Sequence, residues 1–305
     1  MQKTMKRLQS LPLAIATMCL CACSSGGTDI PDNPNPPQPS RLPISISTSI
    51  ASRVSDTGFD NADHIGLYVV NHNADGSSQS LLSKGNHVDN MRFTYSGTWT
   101  PDTPIYWEDE TTHADFYLYY PYQASITDVT SMPVTTKSDQ SSVDNYKASE
   151  IVAGSALNVA PTAQAVSITA RHLMSQLVIR VAAGNGFTTE KLAAAQVAVK
   201  VNGVKTQALV NIAQAKVSAT GDVTSVTPLL TNGTYKALIV PQTVEKTNLI
   251  TVTVDGRDFN LPKAFTFVGG KSYQMTVTVS KTSNGINVNI TDWDSDGTDY
   301  GGTAE

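Results

Sequence analysis

The chain has 305 residues, with 21 Lys plus Arg against 26 Asp plus Glu and a formal net charge of −5. That balance leaves no broad basic surface to neutralise a run of phosphates, which excludes nucleic acid as a partner. The three cysteines, Cys19, Cys21 and Cys23, all fall in the first 23 residues, so the body has no disulfide, thiol nucleophile or cysteine metal ligand.

The first segment is an export signal. Lys3, Lys6 and Arg7 give a positive start, and Leu11 to Leu20 is an apolar run too short to stay in a bilayer as a helix. It ends in Leu20-Cys21-Ala22-Cys23, which resembles a bacterial lipobox, where a small residue precedes a cysteine that is acylated and becomes the new N-terminus. The resemblance implies cleavage between Ala22 and Cys23, a palmitate-bearing lipid on Cys23 and a membrane anchor. Ser24 after the cysteine points to the outer membrane. Residues 1–22 are then signal peptide. Residues 23–41 are a linker rich in Pro, Gly and Ser that holds the body away from the lipid surface.

Ordered sequence begins abruptly. Leu42, Ile44, Ile46, Thr48 and Ile50 alternate with Pro43, Ser45, Ser47 and Ser49, the pattern of a strand with one buried face. Further strand-like runs follow at His64–Val70, Met91–Tyr95, Asp115–Tyr120 and Ala165–Thr169. Others are Leu177–Val181, Gln196–Val201, Tyr235–Val240, Leu249–Val254, Gln274–Val279 and Ile286–Ile290. Turn pairs separate them, and Asn202-Gly203, Asp255-Gly256 and Asn284-Gly285 are spaced for hairpins. One short helix is expected, over Thr189–Ala195. Many short strands with frequent turns predict an all-β fold of β-sandwich type, with room for two domains, residues 42–160 and 161–305.

The order of landmarks resembles the fimbrillin family of Bacteroidetes, the lipoprotein precursors of type V pilus subunits. Five stretches carry it. Arg53, Phe59 and Asp63-His64-Ile65-Gly66-Leu67-Tyr68 come first, then Tyr95-Ser96-Gly97-Thr98-Trp99 with Pro104-Ile105-Tyr106-Trp107. Ala114 to Tyr122 and Val166 to Leu177 follow, and Ile290-Thr291-Asp292-Trp293 with Gly301-Gly302 closes the set. The resemblance implies two tandem transthyretin-like β-sandwich domains in a structural or adhesive subunit of a surface fimbria. Its partners would be other fimbrial subunits, with a host or bacterial glycan or protein as a possible target. It also implies donor-strand exchange, in which proteolysis after an arginine removes the first strand and a strand of the next subunit fills the groove. Arg53 directly follows the alternating strand, so cutting there opens a groove, whereas cutting at Arg41 does not. Ile286, Val288 and Ile290 are the candidate donor, or else an ordinary last strand. Stalk, tip and anchor subunits share the landmarks, and an uncleaved tip or anchor subunit would use Arg53 only as a turn residue.

Other features have plainer readings. Asp292, Asp294, Asp296 and Gly297 match the start of a calcium loop, but Thr303 stands where a bidentate Glu is needed, so a solvated acidic tail is the better description and no metal is expected. Among the aromatics, Phe116, Leu118 and Tyr120 share one face of a strand and read as core. Tyr117 and Tyr119 face the other way, which marks them for a surface role in a monomeric glycan-binding lipoprotein, the alternative function. His64, His72, His87, His113 and His172 show no metal spacing, and His172 reads as a structural histidine. No nucleophile elbow, zinc-protease motif or phosphate loop occurs, so no catalytic site and no cofactor are expected, and the chain is not read as an enzyme.

Overall fold

The computed structural model describes residues 41–50, 58–280 and 302–304. In chain order the first region holds β1 (Ile46–Ile50), β2 (His64–Asn71), β3 (Val88–Tyr95), β4 (Trp99–Pro101), β5 (Ala114–Tyr120) and β6 (Met132–Thr135). A one-turn helix, α1 (Val143–Lys147), leads to β7 (Val152–Val159) and β8 (Val166–His172). Then come β9 (Ser175–Ala183), α2 (Thr189–Ala194), β10 (Val197–Asn211), β11 (Lys216–Val226), β12 (Leu229–Thr231) and β13 (Thr234–Ile239). β14 (Gln242–Val254), β15 (Arg257–Phe267), β16 (Ser272–Val279) and β17 (Gly302–Ala304) complete the set. The all-β expectation holds, and α2 lies where the sequence places its helix, with the Thr188 hydroxyl accepting from the Lys191 N–H as its N-cap.

Seven strands form one sheet in the order β1-β8-β7-β5-β2-β3-β4. A second sheet runs β11-β10-β14-β15, with β6 added beside the far half of β10, and a third runs β12-β13-β9-β16-β17. The second and third sheets close on one core, Val199, Val201, Ile250, Val252 and Phe259 meeting Leu177, Ile179, Ala237, Met275 and Val277. The sequence boundary at 160/161 falls in the turn between β7 and β8, which pair with each other.

The seven-stranded sheet is covered on both faces. Ile65, Leu67, Val69, Phe116 and Leu118 point into a core closed by Trp99, Ile105 and Trp107. Tyr68, Val70, Tyr117 and Tyr119 point the other way, into a core completed by Met132, Ala208, Val210, Leu238 and Val240. The surface role assigned to Tyr117 and Tyr119 is therefore overturned, because the far halves of β10 and β13 lie over them. Tyr119 is fully buried and its hydroxyl donates to Asn90 Oδ1 at 2.6 Å. Its ring crosses β2 at Gly66, where an added Cβ would meet Tyr119 at 2.1 Å.

Turn chemistry was partly as expected. Asp255 (φ 48°) and Gly256 (φ 81°) join β14 to β15, and Asn232 and Gly233 join β12 to β13 in the same left-handed geometry. Asn202-Gly203 is not a hairpin. It is a bulge within β10, with a register shift against β11 between Asn202 and Val204. The Asn202 amide donates to Asn248 O and Thr251 Oγ1 across the sheet, which ties the bulge to β14 and lets β10 run on to Asn211. The Asn284-Gly285 turn and the strand over Ile286–Ile290 lie outside the described residues.

Candidate functional site

The alternation that marks residues 42–50 in the sequence is reproduced in burial. Ile44 and Ile46 are buried, Thr48 and Ile50 are half-buried, and Ser45, Ser47 and Ser49 are exposed. Fully burying the two isoleucines contributes roughly 3–6 kcal/mol. That is less than three buried isoleucines would supply, because Ile50 reaches only the end of the core.

Among the described residues, β1 is the last strand of its sheet and pairs only with β8. The two run parallel, with Ile46 opposite Val166 and Ile50 opposite Ala170. The Val166 N–H donates to Ser45 O at 2.9 Å. The residues just before β1 are held differently. Ile44 N–H donates to Ile105 O and Trp107 N–H to Leu42 O, both at 2.9 Å, with Pro43 bridged to Tyr106. Pro43 lacks an N–H, which suits an edge position. One side-chain bond adds to these, from Trp99 Nε1 to Thr48 Oγ1 at 2.9 Å. The segment is thus a plug over a groove floored by Trp99, Ile105, Trp107, Val166 and Ile168. Lifting it out would uncover that apolar floor together with the unpaired backbone groups of β8 and of residues 105–107, a template for another strand.

At the C-terminal end of β1 lies a cavity of about 290 Å³, lined in part by Ile50, Gly58, Phe59, Tyr120, Glu150 and His172. His172 is buried there with Nδ1 3.1 Å from Glu150 Oε1. The Tyr120 hydroxyl donates to Asp63 at 3.2 Å, and burial, followed by the Asp63 charge, pushes its pKa far above the ordinary phenol value. Lys147 pairs with Asp60 on the rim. Elsewhere His72 is buried against Asp115 at 2.9 Å. Among the described residues no three His, Cys, Asp or Glu side chains converge as a metal site.

Of the residues singled out in the sequence, Ala22, Cys23, Arg53, Ile286–Ile290, Asp292, Asp294 and Asp296 lie outside the described residues. Ile50 and Gly58, which bracket the segment holding Arg53, both line the cavity at the end of β1. The partnership of residues 42–44 with 105–107, and the bond from Trp99 to Thr48, had no sequence signal, since each joins positions about fifty or more residues apart.

A family model described as fimbrillin-like matches residues 52–293. A Bacteroides uniformis protein named as a candidate fimbrium subunit, Fim1C, is 25% identical over 305 residues, covering 95% of this chain and 96% of that one. A Bacteroides ovatus protein named as a candidate fimbrium tip subunit is 30% identical over 136 residues, covering 43% of this chain and 24% of its own length. Among solved structures, a candidate cell adhesion protein from Bacteroides ovatus aligns with a TM-score of 0.64 at 16% identity, over 78% of this chain and 92% of that one. Another, from Bacteroides uniformis, aligns with a TM-score of 0.59 at 20% identity, over 78% and 94%.

Proposed function

The chain belongs to the fimbrillin-like family, and on that premise we propose that it is a structural or adhesive subunit of a surface fimbria, exported as a lipoprotein and assembled by exchange of its first strand. The observation that carries this reading is the plug. β1 is a one-faced edge strand whose backbone pairs with β8 alone among the described strands, and Arg53 follows three residues after its end. Cleavage after Arg53 removes lipid, linker and plug in a single cut. The groove left behind accepts an alternating apolar strand from the next subunit, and Ile286, Val288 and Ile290 have that pattern. Because donor and groove are different surfaces, the contact repeats head to tail and does not close.

The anchoring half of the proposal rests on Ala22-Cys23: acylated Cys23 delivers the precursor to the outer membrane. The division into two sandwich domains rests on the sheets. The first draws all its strands from residues 46–172, and the third draws all of its strands from 175–304.

Trypsin-like cleavage of the purified precursor, followed by size-exclusion and electron microscopy, tests assembly. Denaturant-resistant ladders are expected, lost in Arg53→Ala and kept in Arg41→Ala. A cut protein that stays monomeric and folded would remove the polymerising role. Cys23→Ala should leave a precursor that keeps residues 1–22 and takes up no labelled fatty acid; normal labelling would end the lipoprotein reading. A second reading, an uncleaved tip subunit, draws on the relative named as a tip subunit. Full-length protein at fimbrial ends, with residues 42–50 intact, would favour it.

A further inference from the structure

Two tryptophan rings belong to the floor under residues 42–50, and their indole N–H groups are satisfied in different ways. Trp107 is buried, and its Nε1 donates to the backbone carbonyl of Thr162 at 3.2 Å. That partner belongs to the body and stays when β1 leaves. Trp99 is buried too, but its Nε1 donates to Thr48 Oγ1 at 2.9 Å. That partner belongs to β1 and leaves with it.

The Trp99 ring is fixed by its neighbours. Phe59 meets it edge-on, with centroids 4.8 Å apart and the planes at 76°, and Tyr95 lies against it at 5.0 Å. Tyr95 and Trp99 also stand opposite one another where β3 pairs with β4. The N–H is thereby aimed at one place in the groove. An indole nitrogen only donates, so whatever occupies that place supplies an oxygen or leaves the proton unpaired.

β1 and the residues just before it meet this demand. The inward side chains are Ile44, Ile46, Thr48 and Ile50, and Thr48 alone among them carries a polar atom. Thr48 stands level with Ile168 of β8, one step beyond Ile46 opposite Val166. A valine at the same place would fill the same volume. It would also exclude water from the indole N–H without replacing it, and a site built around a polar contact rejects an apolar analogue for that reason.

We propose that Trp99 is a specificity-determining residue of the groove. It selects an incoming strand with branched aliphatic side chains at the places of Ile44 and Ile46 and a short oxygen-bearing side chain at the place of Thr48. The inference rests on the strand-exchange reading and adds that apolar alternation alone is not enough. It also sets the register. A strand slipped by two residues toward the Ala170 end brings an aliphatic side chain to the N–H, and one slipped the other way puts its oxygen into the apolar site of Ile46.

The test uses the full chain cleaved after Arg53 and peptides copying residues 42–50, read by displacement of the cleaved segment. The unaltered peptide and its Thr48→Ser form should bind alike, and the Thr48→Val form at least about fivefold more weakly. With Trp99→Phe in the body, the ratio between the Thr48→Val and unaltered peptides should fall to about one. Both peptides are compared on the same body, so a general loss of stability cancels. If Trp99→Phe does not fold, the indole resonances of the wild-type body decide. The Trp99 N–H should be shifted downfield and protected from exchange with the unaltered peptide but not with Thr48→Val, while the Trp107 resonance stays in place. Equal affinity of the two peptides, with displacement intact, overturns the proposal and leaves strand exchange standing. A preference for the unaltered peptide that survives Trp99→Phe overturns it as well, since Thr48 would then act without the indole. If no peptide displaces the segment, the strand-exchange reading itself fails and the selectivity falls with it.

Discussion

β1 and β5 belong to one sheet but are held in it in different ways. β5 has a partner on each edge, β2 and β7, and a core on each face. Its Ala114–Leu118 and Tyr119 are all buried. β1 has one partner and one buried face, and alternate residues stand in solvent. A strand like β5 cannot leave without dismantling both cores. A strand like β1 touches one core only, so on the strand-exchange proposal its departure exposes a floor that remains supported from below. Replaceability is thus a matter of position in the sheet rather than of composition, for both segments are rich in β-branched or aromatic residues.

Substitutions should separate the two strands. The largest effect is expected at the centre: Phe116→Ala removes a fully buried ring that stacks edge-on against Trp107, and should cost about 3–5 kcal/mol of global stability. Chemical denaturation measures it, and a loss under about 1 kcal/mol would show that the centre is no more committed than the edge. Ile46→Ala should cost about 2 kcal/mol, and its signature is local. Amide exchange should accelerate at 166–170 and leave 116–119 unchanged; uniform acceleration would mean that β1 cannot move independently.

A pH test addresses the core that lies opposite β1 across the sheet. Tyr68 is fully buried, its hydroxyl has no partner among the described residues, and burial raises its pKa to about 12, with Asp89 adding to the effect. The folded state therefore holds this proton more tightly than the unfolded state. The stability is present in full below pH 10 and is lost as pH rises toward 12, by at most about 3 kcal/mol. Tyr68→Phe should flatten that part of the alkaline stability curve, and an unchanged curve would assign the titration to other groups. The smallest effect is expected at the plug itself. Thr48→Val leaves the Trp99 indole N–H without its acceptor and should cost about 1 kcal/mol, with faster release of the cleaved segment. Release at the wild-type rate would show that this bond does not retain the plug.

The sequence made β1 legible because a one-faced edge strand alternates cleanly, and burial follows that alternation residue by residue. The same rule misled at Tyr117 and Tyr119. Alternation says that a strand has two faces but not what lies over the second, and here the cover comes from β10 and β13, far along the chain. β7 was missed because Val152–Val159 is rich in small residues on which no alternation registers, and β15 because Pro262 interrupts a strand whose edge tolerates it. Asn202-Gly203 carried a hairpin signal, but β14 on one side and β11 on the other held the chain straight through it.

The parallel pairing of β1 with β8 has a further consequence. The free edge of β8 is a row of N–H and C=O groups that a strand of either sense can meet, but a strand that reproduces the register of β1 runs one way. A segment that reproduces that pairing enters with its own N-terminus at the Val166 end and leaves at the Ala170 end. Every junction built on that ladder therefore inherits the same arrow. A string of such units would have two unlike ends, one offering an open vacancy and the other an unspent strand, so lengthening and stopping are decided at different termini.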